Sequence, residues 1–205
     1  MDGSSDTAPE WEPFNRPLFE NPKVRDLSRV GVIDIGSNSV RLVVFDGAAR
    51  SPAYFFNEKV MCALGAGLAE TGKLNPSGRI RALSALRRFC TIAKGIGLPD
   101  LTAVATAAVR EASDGPEFAA QVLQKTGLKI HVVDGPEEAR LSAQGVLLGW
   151  PGSYGLVCDI GGASMELAEI SDGKVGQRLT SPLGPLKLVN IPGGKRGRKA
   201  FITQT

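Results

Sequence analysis

The apolar and polar positions settle into a regular pattern only from Val30 onward. Val30 to Ile35 and Val40 to Phe45 are apolar-rich runs of strand length, and Gly36-Ser37-Asn38-Ser39 between them predicts a tight turn. Asp46-Gly47 predicts another turn, and Ala53 to Met61 a third strand. Asn75-Pro76 supplies a helix N-cap and a proline for the first helical position. Behind it Ile80, Leu83, Leu86, Cys90 and Ala93 recur every three or four residues as one apolar helix face, ended by Gly95 and Gly97. Leu101 to Val109 reads as a fourth strand. Asp114-Gly115-Pro116 opens a helix with Phe118, Ala119, Val122 and Leu123 inward, stopped by Gly127. Ile130 to Val133 is a short strand, and Asp134-Gly135-Pro136 opens the next helix. Leu156 to Ile160 is a strand leading into a hairpin whose far turn is Ser171-Asp172-Gly173. Strands alternating with helices after an opening meander predict an α/β layered fold.

Before Val30, four prolines stand among alternating charges without a hydrophobic period, which predicts a flexible arm over residues 1–29. No apolar run approaches the length of a membrane span, and the N-terminus has neither the apolar core of a secretory signal nor the arginine richness of a transit peptide. Cys62, Cys90 and Cys158 are odd in number, far apart and without metal-ligand spacing, so they read as core residues in a reducing, cytoplasmic compartment. Composition changes the picture at one place. The net charge of +3 depends on Lys195, Arg196, Arg198 and Lys199, without which 20 basic residues face 21 acidic ones. The body therefore gives no electrostatic reason to expect nucleic acid, and residues 189–205 read as a basic, disordered tail.

Candidate chemistry comes from a long-range repeat. Asp34-Ile-Gly36-Ser37-Asn38-Ser39-Val-Arg-Leu42 and Asp159-Ile-Gly161-Gly162-Ala163-Ser164-Met-Glu166-Leu167 share the pattern D-I-G-x-x-S-x-x-L, each in a strand–turn–strand setting. One copy alone is a common turn with an aspartate cap; two in matching contexts predict opposed hairpins across a cleft. Glycine after the aspartate is expected to reach positive φ and bare N–H groups to an anion. The serine adds a hydroxyl, and the aspartates can position a divalent cation that offsets carboxylate–phosphate repulsion.

These hairpins, with TAAVREA at Thr106 to Ala112 and GPEEARL at Gly135 to Leu141, resemble the exopolyphosphatase/guanosine pentaphosphate phosphatase (Ppx/GppA) family over residues 30 to 188. The resemblance implies an actin, sugar-kinase and heat-shock-chaperone type of fold: a ribonuclease H-like lobe over 30–150 and the opening hairpins of a second over 151–188. It further implies a Mg²⁺-dependent phosphohydrolase that releases terminal orthophosphate from polyphosphate, or the 5′-phosphate of guanosine pentaphosphate. Glu138 would be the general base. Gly36, Ser37, Asn38, Ser39, Arg110, Gly161, Gly162, Ala163 and Ser164 would hold phosphate, and Asp34, Asp159 and Glu166 the metal.

Each residue also has a plainer reading. On the residues alone Glu137 and Glu138 read as first-turn acids that compensate a helix dipole, Arg110 as a surface partner of Glu111 or Asp114, and Glu166 as a solvent-facing strand residue. His131 reads as packed and structural. Arg41 has no readable direction.

Two positions depart from the family pattern. Ala163 stands where the second loop normally has a third glycine, and would be strained if that position needs positive φ. After Leu188 the sequence VNIPGGKRGRKAFITQT does not continue as the resemblance implies, so the chain reads as a truncated member. The alternative function is then a catalytically impaired phosphate- or nucleotide-binding lobe, and a kinase of the same superfold is disfavoured by EEARL. No membrane partner is expected; the oligomeric state, a homodimer included, stays open.

Overall fold

The computed structural model describes residues 29–45, 54–98 and 101–205. Most of the expected N-terminal arm and the Asp46-Gly47 turn lie outside the described residues. Strands β1 (Val30–Ile35), β2 (Ser39–Phe45), β3 (Tyr54–Met61), β4 (Leu101–Ala105) and β5 (Ile130–Val132) form one sheet in the order β3-β2-β1-β4-β5. The first three are an antiparallel meander, and β4 and β5 add parallel to β1. Register places Ile33 beside Leu42 and Ile35 beside Val40 on one face, all fully buried. Helices α2 (Pro76–Gly95) and α4 (Gly115–Thr126) cover that face, with the short α1 (Leu68–Thr71) and α3 (Ala107–Glu111) at its edge. The Asn75 side chain accepts from the Gly78 N–H at 2.8 Å, so the predicted N-cap forms.

Several expectations shift. The buried face of α2 is Ala82, Ala85, Leu86, Phe89 and Ala93, while Ile80 is 72% exposed. Two apolar stripes overlap on this helix, and the sheet takes the one whose alanines allow close approach. The fourth strand stops at Ala105, and Arg110 stands on α3 instead of a strand end, since Ala-Ala-Val-Arg-Glu is a good helix former. Leu123 is half exposed, and Cys158, read as a core residue, is exposed.

The second sheet is antiparallel: β6 (Gly155–Ile160), β7 (Met165–Ser171) and β8 (Lys174–Ser181). Asp172 and Gly173, at φ 52° and 70°, make the two-residue β7–β8 turn. Helix α5 (Gly135–Gly149) packs on this sheet, where Ala139 and Ala143 meet Ala168 and Ile170. This helix, placed with the first lobe in the sequence reading, thus packs on the second sheet. The chain ends in α6 (Pro185–Val189) and α7 (Gly194–Gln204); the segment read as a disordered tail thus contains a helix, though none of its residues is buried. Among the described residues no helix is long and apolar enough to cross a membrane.

Candidate active site

The two repeated hairpins close with the same turn hydrogen bond. Gly36 N–H donates to the Ser39 carbonyl, and Gly161 N–H to the Ser164 carbonyl, both at 3.0 Å. Asp34 pairs with Arg41 across its hairpin as Asp159 pairs with Glu166 across the other. The turns touch: a Cβ on Gly162 would lie 3.1 Å from the Ser37 Cβ and 3.1 Å from Leu186 Cδ1. Close approach, and not positive φ, is what these glycines provide, because Gly36, Gly161 and Gly162 all keep ordinary φ. Ala163 does too, so the strain expected there is absent; it is buried under Gly184. Ser37 and Ser164 are buried and Asn38 is exposed. The residues after β3 brace the first turn, Gly65 N–H donating to the Ser37 carbonyl at 2.7 Å, and Cys62 and Ala63 N–H groups to that of Asn38.

Helix α5 brings Glu138 to this junction. Asp134 caps the helix by accepting from the Glu137 N–H at 2.8 Å. Arg110 Nη1 donates to Glu138 Oε2 at 3.0 Å and to the Val133 carbonyl at 2.9 Å. The plainer readings of Arg110 are thereby excluded: Glu111 pairs with Lys187, and Asp114 with Arg79. The two adjacent glutamates part company, for Glu137 is held by Arg140 in a two-bond ion pair. Burial raises the Glu138 pKa from 4.5 to about 7; the Arg110 hydrogen bond opposes this, and the Glu166 and Asp159 charges add to it. Asp34 lies open to solvent at its rim, yet the surrounding protein, then the Asp159 charge, raises its pKa, with Arg41 and Lys59 acting the other way.

Glu166 is 1% exposed, which corrects its reading as a solvent-facing residue. Its Oε1 accepts from Thr180 Oγ1 at 2.9 Å, while its buried Oε2 has no partner within the protein. Ser142 Oγ donates to Asp159 Oδ2. Thr180 and Ser142 were not legible as site residues. Ser142 had a faint signal, one helical turn after Glu138 and so on the same face; Thr180 had none, since only the β7–β8 register places it opposite Glu166. Arg41 turns away to Asn57 of β3.

Four carboxylates (Asp34, Glu138, Asp159 and Glu166) and one guanidinium thus gather where the two loops meet. Such a site repels phosphate unless a cation intervenes. No three acid, histidine or cysteine side chains among the described residues converge as a closed metal cage, so the expected set of Asp34, Asp159 and Glu166 is not preassembled. An open site with an unpartnered buried Glu166 oxygen still fits Mg²⁺, which is usually held by one or two carboxylates, waters and substrate phosphates.

A five-stranded mixed sheet and a second sheet, each opening on a D-I-G hairpin and meeting at a carboxylate-lined junction, define the phosphate-handling architecture of actin-like ATPase folds. Within that class the chain belongs to the Ppx/GppA phosphatase family, which it matches over residues 32–191. It is 32% identical over 176 residues to Exopolyphosphatase 1 of Mycobacterium tuberculosis, covering 83% of this chain and 51% of that protein. The likeness to Exopolyphosphatase 1 of Mycobacterium leprae is also 32%, over 52% of that protein. An exopolyphosphatase crystal structure from Cytophaga hutchinsonii superposes with a TM-score of 0.73 at 29% identity, over 79% of this chain and 53% of that one. The Ppx/GppA family member of Aquifex aeolicus superposes at 0.71 and 26% identity, over 86% of this chain and 58% of that one. The chain spans about half the length of the curated relatives it matches.

Proposed function

We propose that this chain carries the catalytic half-site of a phosphohydrolase that removes terminal orthophosphate from inorganic polyphosphate. The observation that carries the reading is Glu138, a largely buried carboxylate beside an arginine, with a pKa raised to about 7. A base with that proton affinity is half ionised near neutrality and accepts a proton efficiently there. Glu138 takes a proton from water at its free carboxylate oxygen while Arg110 fixes the other. The Gly36–Ser39 and Gly161–Ser164 turns orient the terminal phosphate. Asp34, Asp159 and Glu166 are the residues that would hold Mg²⁺, which when bound supplies charge neutralisation for the transferring phosphoryl group. Polyphosphate is favoured over guanosine pentaphosphate because the similar mycobacterial proteins bear the name exopolyphosphatase.

The test is Mg²⁺-dependent orthophosphate release from polyphosphate by Glu138→Gln and Glu137→Gln. Loss of a general base costs about 10²–10⁴ in rate, so Glu138→Gln should nearly abolish release while Glu137→Gln keeps most of it. Equal rates for both variants would end the case for Glu138. A second reading, a lobe that binds phosphate without turnover, draws on the half-length match to the relatives. It predicts polyphosphate binding without release from this chain, and release once a relative's second half is fused to it. Release from guanosine pentaphosphate alone would instead reassign the substrate.

A further inference from the structure

The outer surface of the first lobe holds a groove of about 800 Å³ between α2 and α4, within the usual range for small-molecule sites. It lies on the helical layer, separate from the junction of the two hairpins. Its floor is apolar, made by Leu74, Pro76, Ile80 and Leu83. Ile80 presents its side chain there at 72% exposure, an uncovered branched aliphatic where α2 could have carried a polar residue.

Around this floor stand Lys73, Arg87 and Lys125. None of the three has an acidic partner among the described residues. Asp114 is the one acid in the lining, and it is already engaged by Arg79 Nη1 and by the Leu74 N–H, both at 2.9 Å. Arg79 in turn is also held by Glu117. Uncompensated positive charge therefore concentrates here, on a body whose charges otherwise nearly balance.

The two components together narrow the occupant. A bare phosphate chain would use the cations and gain nothing from covering Ile80 and Leu83. A neutral apolar molecule would leave three cations idle. Only an organic anion uses both. Lys73 stands before α2 at the Arg79–Asp114 end, whereas Arg87 and Lys125 lie two turns beyond Arg79 and Glu117 on their helices, about 12 Å along the groove. Two of the three cations thus form a positive end clear of any acid, a span that suits an aromatic body with phosphates at that end.

We propose that this groove is a second binding site, for an aromatic organic phosphate whose ring lies on Leu74, Ile80 and Leu83 and whose phosphates meet Arg87 and Lys125. The inference stands apart from the hydrolytic reading, and phosphate release is not its readout.

The experiment is fluorescence titration of the full chain with N-methylanthraniloyl-ADP at constant ionic strength. Saturable binding is expected. Ile80→Glu, and separately the double variant Arg87→Glu/Lys125→Glu, should each weaken it about tenfold or more, a change of about 1.4 kcal/mol. These side chains make no hydrogen bond or ion pair among the described residues, so thermal melts should stay at the parent value and certify folding. Arg110→Ala, in the cleft, should leave binding unchanged, and inorganic tripolyphosphate should displace the probe only at concentrations about tenfold or more above those of unlabelled ADP, since it lacks the ring. Loss of binding in Arg110→Ala with retention in the groove variants would place the probe in the cleft and overturn the proposal. Full displacement by tripolyphosphate with Ile80→Glu unchanged would overturn it as well, by showing a site for bare anions. Absence of saturable binding would do the same.

Discussion

Glu138 differs from an ordinary helix acid because water is withdrawn from it faster than Arg110 can compensate. Its pKa of about 7 against an ordinary 4.5 has two consequences of definite sign. The ionised form accumulates as pH rises through about 7, so phosphate release should climb through that value and level off above it; a profile flat from pH 5 to 8 would remove Glu138 from the chemistry. The folded chain also binds this proton more tightly than the unfolded chain does. The stability it contributes is present below 4.5 and lost as pH rises through about 7. Glu138→Gln should thus match the parent in urea unfolding near pH 4 and exceed it by roughly 1–3 kcal/mol at pH 8. At this scale the sequence was legible wherever a residue acts through its own turn: Asp134 and Asn75 as caps, and the twin Asp-Ile-Gly motifs. It was mute on Glu166, whose partner Thr180 lies across a strand pair, and on the split between Glu137 and Glu138, which depends on arginines from different elements.

At the level of elements, α5 matters most because its first turn carries the proposed base. That turn sits hard against β8: a Cβ at Gly135 would fall 2.4 Å from Thr180 Cγ2. Gly135→Ala must therefore push the helix start or Thr180 aside, and Thr180 is what holds Glu166. Overpacking of this kind costs about 1–3 kcal/mol, and here it should also lower phosphate release more than an equally destabilising change elsewhere. A parallel assay of Leu86→Ala, buried far from the cleft in α2, supplies that comparison; proportionate losses in both would refute a specific role for the contact. Element types were largely legible from periodicity, with strand limits off by about a residue except at β4, which ends at Ala105 and not Val109. The misreadings share one cause. Ile80 was placed inward, and Ala107 to Val109 in a strand, because short apolar runs satisfy more than one period and tertiary packing chooses between them.

Across the whole molecule, the two sheets are finished to different degrees. The first has its apolar face sealed by α2 and α4, whereas the second has α5 on one face and leaves Leu156, Ile160 and Leu179 more than half exposed. Exposed apolar clusters of this kind bind hydrophobic dyes. Leu156→Lys/Ile160→Lys should reduce dye fluorescence of the native protein without lowering its melting temperature; unchanged fluorescence would mean the face is covered in solution. The sheet that α5 covers was the least legible feature, because α5 follows β5 directly and has small alanines that could pack on either sheet. Its docking on β7 and β8 means that Glu138 belongs to one lobe while Arg110 and the Asp34 turn belong to the other. The Arg110–Glu138 bond is then a tie between the two sheets. Any rotation that parts the lobes strips Glu138 of its arginine and readmits water at the same moment, so the tilt of one sheet against the other and the affinity of one oxygen for a proton are a single coordinate, readable by titration.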